Sequence, residues 1–505
     1  MNDEVLEFCL GLIEQVVIKE PDATSLANDR NTVAILTDDQ AAAATAVVDR
    51  YRAWIKRKAR ACAGYVSSSD LNLLRTNAVE IETYILMKRL GQDVPVEMYK
   101  DFYRREIEEL LVQQKDIWES YWKRHSRINM ARKRRCWRNA SLTLGVEEEY
   151  QIVSTEDWDL SPDADKVLAS SAAADLELGR EVYKSQLEFK TAIHGDATAL
   201  EKALFAARKE LKDAMPVGLA LVSAGTHPFS TWNAQKASET ARTDLFMHDM
   251  QDVVRRLVTF GLHIHVGVED DELRVQVMNA SRSFLPMLLA ISASSPFWQG
   301  RLTGLMSYRS TVFAVLPRTG IPPTFSSYHD LQSYIELLAT TKSFDSYGAK
   351  DARKIWWDVR LHPEYPTIEF RACDACTSPR DAVAMAAACQ ALVAKLVKLI
   401  ECGVEPRPQK KHITEENKWR AARYGQKARF IDDRLGREVT CHYMVAEFLD
   451  FVSEVMDDLG SERQLRHLLT IVDEGTSANN QVTEYMKTGG TAGVVQWLAT
   501  QFAPA

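Results

Sequence analysis

The spacing of apolar residues changes near residue 140 and divides the chain into two parts. Before that point, apolar residues recur at intervals of three and four, as they do along one face of an α-helix. After it, polar and apolar residues alternate over short stretches, a pattern typical of β-strands. Stretches with helical spacing lie between these predicted strands. We therefore expect an α-helical domain over residues 1–138 and a mixed domain over residues 139–505.

Three helices are predicted in the first part. The first covers Gln40–Ala63, and the second ends at Leu90, where Gly91 stops it. The third covers Glu97 to about His125, with apolar residues at helical spacing. This region is interpreted as a helical bundle without a recognisable catalytic group of residues.

The second part is predicted to be an α+β domain, with helical segments between its strands and over most of its last hundred residues. Strands are predicted at residues 145–153, 184–191, 220–225, 261–268, 356–361 and 367–372. Helices are predicted at residues 198–214, 271–293 and 379–402. Ser378 and Pro379 give the last of these helices a cap and a proline in its first turn.

Composition narrows the functional classes. The net charge of −8 gives no overall basic field, so nucleic acid is not an expected partner. No segment reads as a signal peptide, and the apolar run near residues 284–291 is too short to span a bilayer. The eight cysteines include one CxxC pair, Cys373 and Cys376, without a second pair at zinc spacing. We interpret them as reduced thiols in a cytoplasmic protein.

A basic run lies between Lys123 and Arg138. It could contact nucleic acid or an acidic partner, but a solvated helix end that leads into the linker explains it more simply.

Three consecutive glutamates lie in the first predicted strand. Alternate side chains of a strand share a face, so Glu147 and Glu149 point one way and Glu148 the other. Neighbouring carboxylates repel unless a cation lies between them, and Mg²⁺ prefers oxygen ligands. The strand is therefore either a solvated edge or part of a metal site. We expect Glu148 to face away from such a site and to tolerate substitution far better than Glu147 and Glu149.

Four predicted strands carry polar residues that would lie on one sheet face. They are Glu147 and Glu149, Glu188, His263 and His265, and Glu369 and Arg371. Such a face is costly as a protein core but suits Mg²⁺ ions and the phosphates that they hold. The two histidines could instead be structural or bind zinc, although neither a cysteine nor a third histidine lies nearby in the sequence.

Arginine side chains can bind phosphoryl or carboxylate oxygens through two hydrogen bonds. The candidates are Arg309, Arg318, Arg360, Arg371, Arg420 and Arg423.

The segment from about Leu144 to Arg423 resembles the carboxylate–amine ligases, also called glutamate–cysteine ligase type 2. Seven motifs carry the resemblance, in order: GVEEEY at 145–150, GTHPF at 225–229, GLHIHVGV at 261–268, SYR at 307–309, PRTGIPPTF at 317–325, WWDVRLHPEYPTIEFRACDACTS at 356–378 and ENKWRAARYG at 416–425. Seven motifs in the right order are a far more specific signal than GVEEEY alone.

The resemblance implies a glutamine-synthetase-like fold, in which an antiparallel sheet binds ATP and Mg²⁺ on its concave face and is backed by helices. It also implies the reaction: ATP phosphorylates a substrate carboxylate, and an amine attacks the acyl phosphate to give an amide. The nominal substrates are glutamate and cysteine.

The resemblance also assigns roles to residues. The implied metal ligands are Glu147, Glu149, Glu188, His263 and Glu369. Arg371, Arg309 and Glu369 are the expected catalytic residues, with Arg371 on the phosphates and Arg309 on a carboxylate or phosphate. Arg371, Arg360, Arg420 and Arg423 are the expected ATP-binding residues.

Two features depart from the family. Lys190 stands where relatives usually have a smaller or uncharged residue, which puts glutamate as the substrate in doubt. Residues 1–138 fall outside the resemblance and could bind a partner or mediate assembly into a homo-oligomer. Two alternative functions stay open: a phosphotransferase similar to the guanidino kinases, and a nucleotide-binding regulatory protein.

Overall fold

The computed structural model describes residues 140–170, 176–344, 352–404, 406, 409–433 and 436–503. The domain predicted over residues 1–138, with its three helices and basic run, lies outside the described residues and stays a prediction.

Thirteen strands lie within the described ranges: β1 Leu144–Ser154, β2 Glu177–Arg180, β3 Gln186–Lys190, β4 Leu219–Val222, β5 Gly261–Gly267, β6 Phe297–Trp298, β7 Arg301–Leu302, β8 Thr319–Gly320, β9 Trp356–Trp357, β10 Val359–Leu361, β11 Thr367–Asp374, β12 Arg429–Asp432 and β13 Arg437–Thr440.

The α-helices in the same ranges are α1 Ala164–Leu168, α2 Ala197–Asp213, α3 Ala241–Met250, α4 Asp252–Arg255, α5 Asp271–Ser281, α6 Leu285–Ser292, α7 Tyr308–Phe313, α8 Tyr328–Thr340, α9 Pro379–Glu401, α10 Lys411–Tyr424, α11 Cys441–Leu459, α12 Glu462–Glu474, α13 Ser477–Thr488 and α14 Thr491–Gln501.

Seven strands form the main sheet. Its order is β10-β11-β5-β1-β3-β2, and β4 pairs with the second half of β1. Every pairing in it is antiparallel. Strand β1 is the longest and lies at the centre, so the glutamates of the GVEEEY motif occupy the middle of the sheet. The prediction of an antiparallel α+β fold is confirmed for this part of the chain.

The two faces of the sheet differ as the alternation in β1 predicts. Leu144, Val146, Tyr150 and Ile152 are buried in the large hydrophobic core, together with apolar residues of β5 and β11. Helices α2, α5, α6, α9, α11 and α12 contribute the other side of this core. The opposite face of the sheet carries the polar residues.

Helix α9 is the central helix of that core. Its contacts are with β1, β5 and helices α2, α5, α11 and α12, and its alanines let these neighbours approach closely. Ser378 caps its first turn as predicted, because its side chain accepts the N–H of Arg380. The helix is long and apolar enough to cross a membrane, but 89% of the residues in its apolar window are buried inside the protein.

Two predicted elements differ from the structure. The helix expected over residues 271–293 is divided into α5 and α6 by a turn at Arg282–Phe284, and Pro286 lies in the first turn of α6. The strand expected over residues 356–361 is two strands, because β9 pairs with β8 in a small parallel sheet while β10 pairs with β11.

Candidate active site

The register of the main sheet places polar side chains in rows across its open face. In one row Glu147 of β1 lies between Lys190 of β3 and His263 of β5. In the next, Glu149 lies opposite Glu188. Each pair shares a face because cross-strand partners point the same way.

Strands β10 and β11 extend these rows. Glu369 lies opposite His265 on one side and Arg360 on the other. Arg360 Nε donates to Glu369 Oε2 at 2.7 Å, and Arg371 Nη1 donates to Glu369 Oε1. Glu369 is 1% exposed, so both arginines neutralise a carboxylate that is otherwise removed from water.

We call the side chains of Glu147, Glu149, Glu188, His263 and Glu369 the acidic cradle. They form two groups of three with ligand atoms within 4.8 Å of one another, and both groups contain His263. One group adds Glu147 and Glu369, and the other adds Glu149 and Glu188. The structure therefore brings together all five residues that the sequence analysis assigned as metal ligands.

The chemistry of this donor set fits Mg²⁺. Four of the five ligands are carboxylates, and Mg²⁺ takes oxygen ligands at about 2.1 Å, so two ligands of one ion lie up to about 4.2 Å apart. His263 Nδ1 is 3.3 Å from Glu147 Oε2, and its Nε2 is 3.7 Å from Glu149 Oε1. Burial lowers the pKa of His263 to about 4, so the neutral imidazole that ligation requires is the form present at pH 7.

Negative charge is poorly balanced on the Glu149 side of the cradle. Burial and the charge of Glu188 raise the pKa of Glu149 to about 7. Burial and the charges of Glu181 and Glu147 raise the pKa of Glu188 to about 8. Burial and the charge of Glu149 likewise raise the pKa of Glu181 to about 7. A divalent cation would relieve this repulsion.

The Glu147 side of the cradle is balanced by cations and hydrogen-bond donors of the protein. Burial alone would raise the pKa of Glu147, but its contacts with His263 and His265 outweigh burial and hold that pKa below its ordinary value. The pKa of Glu369 is also lowered, since Arg371 and Arg360 outweigh its burial. The two sides of the cradle therefore differ in charge although both are rich in carboxylates.

Arg309 reaches the sheet face from helix α7 and lies over Gly261. Gly261 donates its backbone N–H to Glu149 Oε2 at 2.6 Å, and a Cβ at this position would overlap with Nη2 of Arg309. Asp374 supports the start of α7, because its carboxylate accepts the hydroxyl of Ser307, the residue that caps the helix. The glycine thus leaves room for the guanidinium beside the cradle.

A narrow cleft beside the cradle is lined by Arg309, Arg371, Lys418 and Asp358. Lys418 pairs with Asp358 at 2.6 Å. The Nε atoms of Arg309 and Arg371 are buried and lack a hydrogen-bond partner among the described residues. Donors arranged in this way suit an anionic group such as a carboxylate or phosphate.

The other predicted arginines are placed elsewhere. Arg420 pairs with Glu416 and Glu438 at the surface, and Arg423 donates to the carbonyl of Gly304. Neither contact involves the cradle, so the structure does not bring these two residues together with it. Their role in ATP binding stays a prediction.

Arg318, the remaining candidate, lies against the rings of Phe344 and Trp356. Its Nε donates to the carbonyl of Lys354.

The sequence analysis missed Glu181, Gly261 and Lys418. Glu181 follows β2, and its proximity to the cradle depends on the pairing of that edge strand with β3. Lys418 comes from α10, far along the chain. Gly261 opens the GLHIHVGV motif, but nothing in the motif itself indicates that an arginine from a distant helix lies over it.

Glu148 faces away from the cradle, as predicted. It is 1% exposed and accepts hydrogen bonds from Arg208 Nε at 3.0 Å, Arg208 Nη2 at 2.5 Å and the hydroxyl of Tyr150. Arg208 is fully buried as well. Loss of Glu148 would leave a buried guanidinium unpaired, so this contact argues against the expectation that Glu148 tolerates substitution.

The sequence and the fold resemble those of known proteins. The family model of glutamate–cysteine ligase family 2 matches residues 143–496. A protein of Sorangium cellulosum named "Putative glutamate--cysteine ligase 2" is 40% identical over 367 residues, which are 72% of this chain and 96% of the relative. A protein of the same name from Chloroflexus aggregans is 39% identical over 372 residues, 72% of this chain and 92% of the relative.

Two solved structures share the fold at low sequence identity. A glutamate–cysteine ligase of Francisella tularensis in complex with AMP has a TM-score of 0.53 and 12% identity, and the match covers 72% of this chain and 89% of that one. A bifunctional glutathione synthetase of Pasteurella multocida has a TM-score of 0.54 and 14% identity, covering 73% and 53%. In all four matches about a quarter of this chain lies outside the similar region.

Proposed function

This chain belongs to glutamate–cysteine ligase family 2, and we propose on that premise that it is an ATP-dependent ligase that joins a carboxylate to an amine. The observation that carries the proposal is the acidic cradle: two overlapping groups of three ligands on one sheet face, next to a cleft lined with cations.

Such a ligase must transfer the γ-phosphoryl group of ATP to a carboxylate and then allow an amine to displace the phosphate. Both steps depend on positioning and on neutralising charge more than on a protein nucleophile. Cys373 and Cys376 are buried, and burial raises the pKa of Cys373 to about 12. Neither thiol is therefore a candidate for covalent catalysis.

The residues of the cradle would hold Mg²⁺ through Glu149, Glu188 and His263 in one group and Glu147, His263 and Glu369 in the other. When bound, Mg²⁺ neutralises phosphate oxygens and fixes their positions. Arg371 is anchored by Glu369, and its free Nε is available to the phosphoryl group in transfer.

The cationic cleft suits the substrate carboxylate. Arg309 and Lys418 line it together with Arg371, so a carboxylate bound there lies beside the arginine that would contact the phosphoryl group. Arg309 is held by stacking on Phe313 at 5.3 Å. A preformed guanidinium of this kind orients a carboxylate at little entropic cost.

A glutamate-like acid and an amine such as cysteine are the nominal substrates, as the names of the relatives suggest. Cytoplasmic localisation agrees with the free thiols of the four buried cysteines, Cys373, Cys376, Cys389 and Cys441. Assembly into a homo-oligomer and a role for residues 1–138 stay predictions.

The proposal is tested by measuring phosphate release and amide formation with purified full-length protein, ATP, Mg²⁺ and a panel of amino-acid pairs. The variant that carries both Glu147→Gln and Glu149→Gln should lose at least about 100-fold in turnover while its far-UV circular dichroism is kept, because two of the charges that hold the metal are removed. Glu438→Gln is the matched control, since Glu438 is exposed and pairs with Arg420 and Arg429 away from the cradle.

The product separates the ligase from its alternatives. A ligase gives ADP, phosphate and an amide that mass spectrometry detects. A phosphorylated product without an amide would favour a phosphotransferase similar to the guanidino kinases. Tight binding of ATP without turnover on any amine would favour a regulatory protein. Full activity in the double variant would refute the assignment of the cradle.

A further inference from the structure

Lys190 places a positive charge inside the acidic cradle. Its Nζ lies 2.9 Å from Glu147 Oε1 and 3.2 Å from Glu188 Oε2. The contact follows from the sheet register, because Lys190 lies directly opposite Glu147 and two residues after Glu188 on the same face of β3. The side chain is 38% exposed, and its ammonium group lies between carboxylates that are 15% and 13% exposed.

The two carboxylates that Lys190 joins belong to different ligand groups of the cradle. Glu147 belongs to the group with Glu369, and Glu188 to the group with Glu149. The ammonium therefore stands between the two groups, where one cation can contact both. Lys is a compact point charge with no acceptor, so it can neutralise carboxylates but cannot act as a ligand while it is protonated.

An ammonium and a divalent ion compete for this position. Both would draw on the carboxylates of Glu147 and Glu188, and two like charges separated by only a few ångströms in a partly buried site repel strongly. Glu149 lies opposite Glu188, another carboxylate, and beside the guanidinium of Arg309 rather than an ammonium group. At Lys190 the protein thus supplies its own cation between the two ligand groups of the cradle.

We propose that Lys190 is a built-in cation that takes the place of a divalent ion between Glu147 and Glu188. The cradle of this chain then binds one divalent ion fewer than the same cradle would without the ammonium group. This inference depends on the proposed function in one respect: both take the cradle to be a metal site. It makes no assumption about the identity of the acid or the amine.

The number of ions bound per chain tests this directly. Mn²⁺ is the probe, because it accepts the same oxygen ligands and its unbound ion gives an electron paramagnetic resonance signal that reports the free concentration. Full-length wild-type protein and the variants Lys190→Met, Lys190→Arg and Lys184→Met are titrated with Mn²⁺, each with and without a non-hydrolysable ATP analogue. Lys190→Gln serves as a second neutral variant if Lys190→Met fails to fold.

Lys184→Met is the matched control. Lys184 lies just before β3 and pairs with Glu239 at 2.6 Å, so the same substitution removes a lysine–glutamate pair without altering the cradle. Lys190→Arg keeps the positive charge at the tested position. Circular dichroism at the start of each titration confirms that the variants are folded.

We expect Lys190→Met to bind one Mn²⁺ more per chain than the wild type, and Lys184→Met and Lys190→Arg to bind the wild-type number. An unchanged number in Lys190→Met would overturn the proposal, as would an additional ion in Lys190→Arg or the absence of binding in every variant. Failure of the proposed function gives a different result: no amide forms with any substrate pair, while the difference in ion number persists.

Discussion

The stability of the metal-free protein should fall as the pH rises from about 6.5 to about 8. The cause is the cluster of carboxyls on the Glu149 side of the cradle. The pKa values of Glu149 and Glu181 are raised to about 7 and that of Glu188 to about 8, mainly by burial and mutual repulsion. Unfolding returns these carboxyls to water, where their ordinary pKa is 4.5.

The sign follows from proton linkage. Between pH 4.5 and the raised pKa values, the folded protein holds protons that the unfolded chain has released. The stabilisation that these protons give is complete below the unfolded pKa and is lost as the pH rises through the folded values. The buried histidines act in the opposite direction: burial lowers the pKa values of His227 and His263 to about 4, and their contribution is complete above about pH 6.5. The chosen window therefore isolates the carboxyls.

The magnitude can be estimated from the same values. One pKa unit corresponds to about 1.4 kcal/mol, so a single carboxyl with a folded pKa of about 7 loses about 1 kcal/mol across this window. Because the three carboxyls repel one another and titrate together, we expect the wild type to lose about 1–3 kcal/mol in its free energy of unfolding.

The assay is urea unfolding of full-length protein in EDTA at several pH values, followed by circular dichroism. The variant Glu149→Gln should lose about 1 kcal/mol less than the wild type over the window, since a neutral amide replaces the titrating group and its oxygen can still accept the N–H of Gly261. Glu438→Gln, at the exposed Glu438, should follow the wild-type slope.

Saturating Mg²⁺ should reverse the loss at pH 8, because a ligand at about 100 times its Kd stabilises the folded state by about 2.7 kcal/mol. It should stabilise less at pH 6.5, where protons compete for the same oxygens. A wild-type stability that is flat or rises across the window would refute the reasoning, and so would a slope in Glu149→Gln equal to that of the wild type.

Three further substitutions test particular contacts. Gly261→Ala should lower turnover at least about tenfold with little change in melting temperature, because the methyl group of the alanine displaces the guanidinium of Arg309 from the cradle. Unchanged steady-state kinetics would contradict this. Glu148→Ala should lower the free energy of unfolding in urea by about 3–5 kcal/mol, because it leaves buried Arg208 without its carboxylate. The double variant Glu148→Leu with Arg208→Met should recover most of that loss. A mild effect of the single variant would show that the buried pair contributes little to stability. Arg420→Ala should change the KM for ATP by less than about twofold and lower the free energy of unfolding by at most about 1 kcal/mol, since the contacts of Arg420 are exposed ion pairs. A KM raised about tenfold would support the predicted role of Arg420 in ATP binding.

The alternation of side chains in one strand was sufficient to predict much of the site. It placed Glu147 and Glu149 on one face and Glu148 on the other, and the same rule put Glu188, the two histidines of β5 and two residues of β11 on the face of Glu147. The family resemblance then singled out the five residues of the cradle among them. The order of strands in the sheet and the register between them did not follow from alternation, because both depend on contacts between distant segments.

The register between strands and the contacts between distant segments explain why some contacts of the site were not predicted from the sequence. Lys190 contacts Glu147 because the register places the two residues opposite each other. Gly261 contacts Arg309 because a helix reaches over the sheet at that point. Alternation showed that Glu148 faces away from the cradle, but it did not show that Glu148 pairs with the fully buried Arg208 on the other face of the sheet. An acidic residue in an otherwise apolar face is the local signal that such a partner exists.

Arg208 also bears on the order in which the chain can fold as it is synthesised. Besides Glu148, its guanidinium donates to the carbonyls of Cys376 and Thr377, and at 3.2 Å to that of Phe502. The strand that carries Glu147 and Glu149 is made early, but Phe502, whose carbonyl accepts from Arg208, is made 294 residues after Arg208. During translation from the N-terminus the contacts of Arg208 therefore stay incomplete until Phe502 has left the ribosome. Nascent chains that stall before that residue would leave a buried cation short of an acceptor, and we would expect quality-control proteases to find them readily.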